Sequence, residues 1–271
     1  MHQRYQDAMA VVRRYGKPDL FITVTCNANW IEITEQLLPH QQPQDRPDLT
    51  TRIFRAKLEQ LKQDLFDKGI LGKVIAHVHV IEFQKRDLPH SHILIILAEN
   101  DKINNPDEYD ALVRAEIPCK QFEPDLHNAV MKHMIHHPCG RSNPNAACMK
   151  NNECKKGFPK HFAPVTLQGN DSYPIYRRRD TGIQTQTTDQ TIDNRWVVPY
   201  NPYLLLKYDC HINVEICSSI KSVKYLYKYV YKGSDQVSVG VSTETNDNED
   251  EISKFANARW VCAPEALWRI F

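Results

Sequence analysis

The sequence predicts an α+β domain: a central antiparallel β-sheet flanked by helices, with an inserted Cys/His zinc-binding subdomain. Three observations predict it. Short β-branched apolar runs recur at 20–25, 73–84, 90–97 and within 211–217, each of strand length. The second and third are joined by little more than a KRDLP turn and read as an antiparallel hairpin. The order strand, helix, strand, strand, excursion, strand, helix suits a sheet with helices packed beside it.

Each element has its own signal. Residues 1–16 read as a short helix ended by Gly16, with Pro18 just beyond. LFITVT, Leu20 to Thr25, is a buried strand. Residues 27–48, with PHQQPQDRP, read as a loop. From Asp48 as N-cap, apolar residues at Ile53, Phe54, Leu58, Leu61 and Leu65 follow helical spacing up to Gly69. Strands are expected over Lys73 to Gln84 and His90 to Leu97. Residues 98–130 are polar and partly helical, 131–164 hold a Cys/His cluster, and 165–195 form a long excursion with a hairpin candidate around SYPIYRRRD. Pro199 to Cys217 contains the strand candidate HINVEIC, and a helix runs from about Ser218 to Tyr231, stopped by Gly233. Residues 243–251 are an acidic loop, and WRIF is an apolar tail without polar closure, which reads as a chain cut from something longer. The expected organisation is 1–115 for the first part of the main fold, 116–165 for the Cys/His insertion and 166–271 for the second part, with a tyrosine-rich helix.

Of the 271 residues 41% are hydrophobic and 25% charged, the balance of a soluble globular protein. No apolar run approaches the roughly 20 residues that span a bilayer, and the N-terminus lacks a secretory signal, so no membrane partner and an intracellular location are expected. A net charge of +1 does not itself announce nucleic acid. Local clusters do better: Arg177, Arg178 and Arg179; Lys155, Lys156 and Lys160; and Lys221, Lys224, Lys228 and Lys232. Eight cysteines are many for a reducing compartment, and three of them, Cys139, Cys148 and Cys154, lie near histidines, which suggests metal rather than disulfides. No GxxxxGK[ST] phosphate loop is present, so no ATPase is expected in this chain.

His90 and His92 open a strand and, two residues apart, share one face of it. Two imidazoles on one face can hold one divalent ion with a third ligand from the neighbouring strand. Val80, Glu82 and Gln84 share a face there, so Glu82 or Gln84 could complete the site. A mixed nitrogen and oxygen set suits Mg²⁺ or Mn²⁺ acting on phosphate. His77 and His79 also alternate and are expected on the opposite face.

The segment 220–233, IKSVKYLYKYVYKG, carries the other constellation. With about 100° per residue and Lys224 at zero, Ile220, Val223, Leu226 and Val230 fall in a buried stripe at about 200–320°. Tyr227 and Tyr231 border that stripe. Tyr225 and Tyr229 stand one turn apart on the far side, beside Lys228 and Lys232. Two phenols there can each attack a phosphate, with the lysines steadying its oxygens.

A phosphate-directed HxH strand followed by a YxxxY helix resembles the HUH endonucleases, although Ser91 replaces the usual bulky middle residue. The chain is further similar to the N-terminal domain of Helitron transposases through RYQDAMAVVRRYGKPDLFITVTCN, VIEFQKRDLPHSHILI, MIHHPCG, NPNAACM, YRRRDTG, DNRWVVPYNPYLLLKYDCHINVEIC and KYLYKYVYKG. The resemblance implies a rolling-circle transposase in which His90 and His92 bind the metal and Tyr225 and Tyr229 attack. One strand of DNA is cleaved to a 5′-phosphotyrosine and a free 3′-hydroxyl, then joined elsewhere. It also implies single-stranded DNA at transposon ends and target as partner, a nuclear location, and a C-terminal helicase of the Pif1 group outside this sequence.

HMIHHPCGRSNPNAACMKNNEC brings His133, His136, His137, Cys139, Cys148 and Cys154 together. Three thiolates and one imidazole would make a closed tetrahedral zinc site that pins an insertion with little core. The resemblance points to His136 as the fourth ligand, with His133 its rival. Two other functions compete: a non-catalytic single-stranded-DNA-binding module derived from a transposon, and a metal-dependent hydrolase with no covalent step. The second leaves the tyrosines unexplained.

Overall fold

The computed structural model describes residues 10–83, 88–140, 142–169, 173–182, 184–186, 191–217 and 261–270. Four strands form the main sheet: β1 (Leu20–Thr25), β2 (Val74–Phe83), β3 (Pro89–Leu97) and, after two-stranded hairpins β4–β5 (Met149–Lys150, Glu153–Cys154) and β6–β7 (Thr185–Gln186, Thr191–Ile192), β8 (Ile212–Ile216). Their order is β2-β3-β1-β8, with every neighbour antiparallel. The central antiparallel sheet read from the sequence is thus present, and residues 10–15 are helical up to Gly16 at φ 95°, a value that suits glycine.

Alternation divides the sheet into two faces. One carries Leu20, Ile22 and Val24 from β1, Ile93, Ile95 and Leu97 from β3, and Ile212, Val214 and Ile216 from β8, all buried in the main core. Helix α2 (Pro47–Lys62) covers it with Phe54, Leu58 and Leu61. Helices α4 (Pro124–His133) and α5 (Pro202–Tyr208) add Leu126, Val130, Leu204, Leu205 and Tyr208. Each fully buried aliphatic side chain contributes about 1.5–3 kcal/mol. The opposite face holds the smaller group Phe21, Leu94 and Cys217, with Val78, Val80 and Tyr173 packed against it.

Several boundaries differ from the sequence reading. Helix α2 starts at Pro47, not after Asp48: proline takes the first helical position because it needs no N–H partner there. Asp48 then sits in the first turn, paired with Arg46 at 2.8 Å. At its end the helix widens into a π-turn over Gln63–Asp67 before Gly69, at φ 60°, reverses the chain. The 27–48 stretch is not all loop, since Ile31–Thr34 forms α1 around buried Trp30 and Ile33. Helix α5 was not expected. It is capped by Asn201, whose side chain accepts from the Leu204 amide, and ends at Asp209 in the left-handed region. Its seven residues are too few to show periodicity. A further short helix, α3 (Pro106–Leu112), lies in the polar 98–130 stretch.

The WRIF tail is also resolved differently. Its Trp268, Arg269 and Ile270 belong to helix α6 (Ala263–Ile270), which packs on α2. Trp268 meets Phe54 with ring centroids 6.1 Å apart, and the Arg55 guanidinium lies 5.3 Å from the Trp268 ring. The 165–195 excursion is pinned by antiparallel bridges Ala163↔Arg178 and Leu167↔Ile175. The expected helix from Ser218 to Tyr231 lies outside the described residues. No described helix is long and apolar enough to cross a membrane.

Candidate functional site

The second face of the sheet carries the histidine pair. Register places Glu82 directly across from His90, and His92 across from Val80. On the other side Thr25 faces His90 and Thr23 faces His92. Paired residues in an antiparallel ladder point the same way, so a carboxylate, two imidazoles and two hydroxyls form one row. His90 and His92 are 7% and 3% exposed, with ring centroids 4.5 Å apart. Phe21 stacks flat on His92, centroids 5.6 Å apart.

The threonines fix the rings. Thr23 Oγ1 lies 3.0 Å from His92 Nδ1, and Thr25 Oγ1 lies 2.6 Å from His90 Nδ1. Both rings thus turn Nδ1 toward β1. His92 Nε2 is 3.7 Å from Glu82 Oε2, and Glu82 Oε1 is buried without a hydrogen-bond partner among the described residues. Sequence reasoning missed both threonines. The signal was there in LFITVT, whose hydroxyls alternate as the histidines do, but only the register shows them to be opposite. His77 and His79 lie on the other face, where His77 stacks on Phe66 at 3.8 Å. Ser91 also points away from the row. It is fully buried, and its hydroxyl has no hydrogen-bond partner among the described residues. Gln84, Tyr225, Lys228, Tyr229 and Lys232 lie outside the described residues.

The second constellation closes tightly. One ligand atom each from His136, Cys139, Cys148 and Cys154 lies within 4.8 Å of all the others. Cys154 Sγ is 3.5 Å from His136 Nε2. Hairpin β4–β5 supplies Cys154, and the Lys155 amide donates to the Cys148 carbonyl at 2.8 Å, so the loop folds back on its own thiols. Burial pushes the Cys139 thiol up to about 12 and raises Cys148. Cys154 is subject to the same burial, but hydrogen bonds from the Phe158 and Lys156 amides outweigh it and hold that thiol below its ordinary value. Burial brings His136 down to about 4, so the ring is neutral, as a ligand must be. Such a set could hold a metal ion such as zinc. The rival His133 is engaged elsewhere, with Nε2 2.7 Å from Asp209 Oδ1. Among the described residues this is the one group of three or more such ligands drawn so close.

The three consecutive arginines are all engaged by groups of the domain, and Arg178 alone is buried. Arg178, 3% exposed, donates through Nη1 to the carbonyls of Ala115, Asn194 and Val197. Arg177 pairs with Asp110 at 3.0 Å and Arg179 with Glu116 at 2.7 Å. They hold the excursion to the body of the domain.

No curated protein matches this chain. Its residues 1–95, a stretch that includes β1, β2 and both histidines of the row, match the family model described as the Helitron helicase-like domain at N-terminus, and this match supports a Helitron-related protein.

Proposed function

We infer that the chain is the metal-dependent single-strand DNA endonuclease and strand transferase of a Helitron-type rolling-circle transposase, acting in the nucleus. The observation that carries this reading is the row Glu82, His90, His92, Thr25, Thr23 on one sheet face. Its donor set of two imidazoles and a carboxylate, with Glu82 Oε1 buried and unpartnered, fits Mg²⁺ or Mn²⁺. His90, His92 and Glu82 would hold the ion, with Gln84 as an alternative oxygen donor. The bound ion would polarise the scissile phosphate. Thr23 and Thr25 keep the imidazoles turned with Nε2 toward that point.

In this reaction the phenol oxygen of Tyr225 or Tyr229 bonds to phosphorus as the bond to the 3′ oxygen breaks. The phenol proton ends on the released 3′-hydroxyl. Lys228 and Lys232 steady the phosphate oxygens. The reverse attack by another 3′-hydroxyl transfers the strand. The second centre, His136 with Cys139, Cys148 and Cys154, holds structural zinc and takes no part in the chemistry.

The test is a denaturing gel after incubation with labelled single-stranded DNA and Mn²⁺. The native chain should carry label. His92→Ala, and Tyr225→Phe combined with Tyr229→Phe, should lose it while still binding the oligonucleotide. Tyr227→Phe and Tyr231→Phe should keep it. Full labelling of the His92→Ala chain would sink the assignment.

A further inference from the structure

The loop that follows Cys154 carries chemistry the metal centre does not use. Residues 155–162 read KKGFPKHF: three lysines interleaved with two phenylalanines and no acid. Lys155 and Lys156 are exposed and Lys160 is half-buried. Among the described residues none of the three meets a carboxylate at salt-bridge distance, whereas Arg177 and Arg179 both do. The aromatics are held in place. Phe158 lies flat on the metal-site ring of His136, centroids 4.2 Å apart, with Lys160 Nζ 5.1 Å from its own centroid. Phe162, 37% exposed, has the Arg195 guanidinium 4.7 Å from its ring. Asp193 pins that guanidinium in turn, Nη2 to Oδ2 at 2.6 Å. Ring and guanidinium therefore form a fixed two-layer stack, to which a flat partner can add a third layer.

We propose that this strip, anchored by the Cys/His centre, is a docking site for single-stranded DNA apart from the His90–His92 row. Phe162 is the base platform, and Lys155 and Lys156 take the phosphates. The charge on the strip is complementary to a polyanion. Unpaired bases expose the faces that a lone phenylalanine can stack on, whereas a duplex hides them. The metal centre makes the strip rigid, since Cys154 is next to Lys155 and His136 backs Phe158. The inference deepens the DNA reading above and rests on it.

Fluorescence anisotropy with a fluorescein-labelled oligothymidylate of about 20 nucleotides, long enough to cover several stacking sites, tests it. The full chain is used with His92→Ala in a magnesium-free buffer, so that no cleavage intervenes. Phe162→Ala should weaken binding about tenfold, and Phe162→Trp should restore it. Lys155→Gln with Lys156→Gln should also weaken binding and flatten the slope of log affinity against log salt by about one to two. Metal content should stay that of the parent, because none of these side chains is a ligand. Unchanged affinity and slope in both variants overturn the proposal. So does a loss seen on blunt duplex alone. The nuclease reading is scored separately: covalent labelling with unchanged binding in these variants removes the docking strip only, and loss of binding in a chain that never forms an adduct removes the nuclease only.

Discussion

At the scale of single residues, the histidine row depends on two hydroxyls from the neighbouring strand β1. Thr23 and Thr25 each engage the Nδ1 of the histidine across from them, which sets the ring angle. Thr23→Val or Thr25→Val keeps the shape and removes that hold. Either should lower the rate of adduct formation about 10- to 100-fold, with the oligonucleotide affinity unchanged. Kinetics and anisotropy on the same preparation check this. Ser91 makes the opposite case. It sits between the two histidines in sequence but on the core side, with its hydroxyl buried and unpartnered among the described residues. Ser91→Ala removes a desolvated group without adding volume. It should leave nicking intact and stabilise the fold by about 1 kcal/mol, read as a higher Tm. A lower Tm would show that the hydroxyl has a role.

At the scale of elements, the π-turn closing α2 directs Asp64 inward. Its carboxylate, fully shielded, accepts from Lys68 at 2.8 Å, from the Tyr208 hydroxyl at 2.6 Å and from Lys207. Burial pushes this carboxyl up, but the hydrogen bonds from Lys207, Lys68 and Tyr208 outweigh it and bring it down to about 2. A folded value below the unfolded one near 3.8 means that the stabilisation is complete above about pH 4. It is lost as pH falls toward 2. The difference is worth up to about 2 kcal/mol, less what the partly exposed lysines lose to solvent. Asp64→Asn should flatten the fall in stability over that range, as urea melts at several pH values would show. The β4–β5 loop closes on His136 and three cysteines that could hold zinc. Cys148→Ser or Cys154→Ser should therefore lose bound zinc and lower the Tm, because the ion's binding energy is folding energy there. Protein that keeps one zinc after Cys148→Ser would overturn the ligand set. The unexpected elements explain themselves physically. Asn201–Pro202 was a legible start signal for α5, and Trp268 to Ile270 are the last turn of a helix that begins at Ala263. Pattern reading fails where an element is shorter than two or three turns.

At the scale of the whole molecule, the sheet and the histidine pair were legible because each rests on a period. Alternation at His90 and His92 gave the site face, and the β-branched runs gave all four main strands within a residue or two. What was not legible is order and register. That β1 lies between β3 and β8, bringing Thr23 and Thr25 to the histidines, follows from topology and from no local pattern. The choice between His133 and His136 was likewise settled by position, since the former is drawn to Asp209. The basic clusters were legible in composition but not in role. Arg177, Arg178 and Arg179 look alike in sequence, yet Arg178 faces three backbone carbonyls in the interior while its neighbours pair with acids.

That inward arginine also sets how the domain comes apart. A guanidinium offers five donors in a rigid plane, where an ammonium offers three on a pivot. One side chain from the excursion thereby closes off carbonyls at Ala115, Asn194 and Val197, which belong to two stretches far apart in sequence. None of those carbonyls can be released singly, because withdrawing Arg178 strands all of them and leaves a desolvated cation behind. The 163–178 segment and the 194–197 turn therefore open as one cooperative unit or not at all.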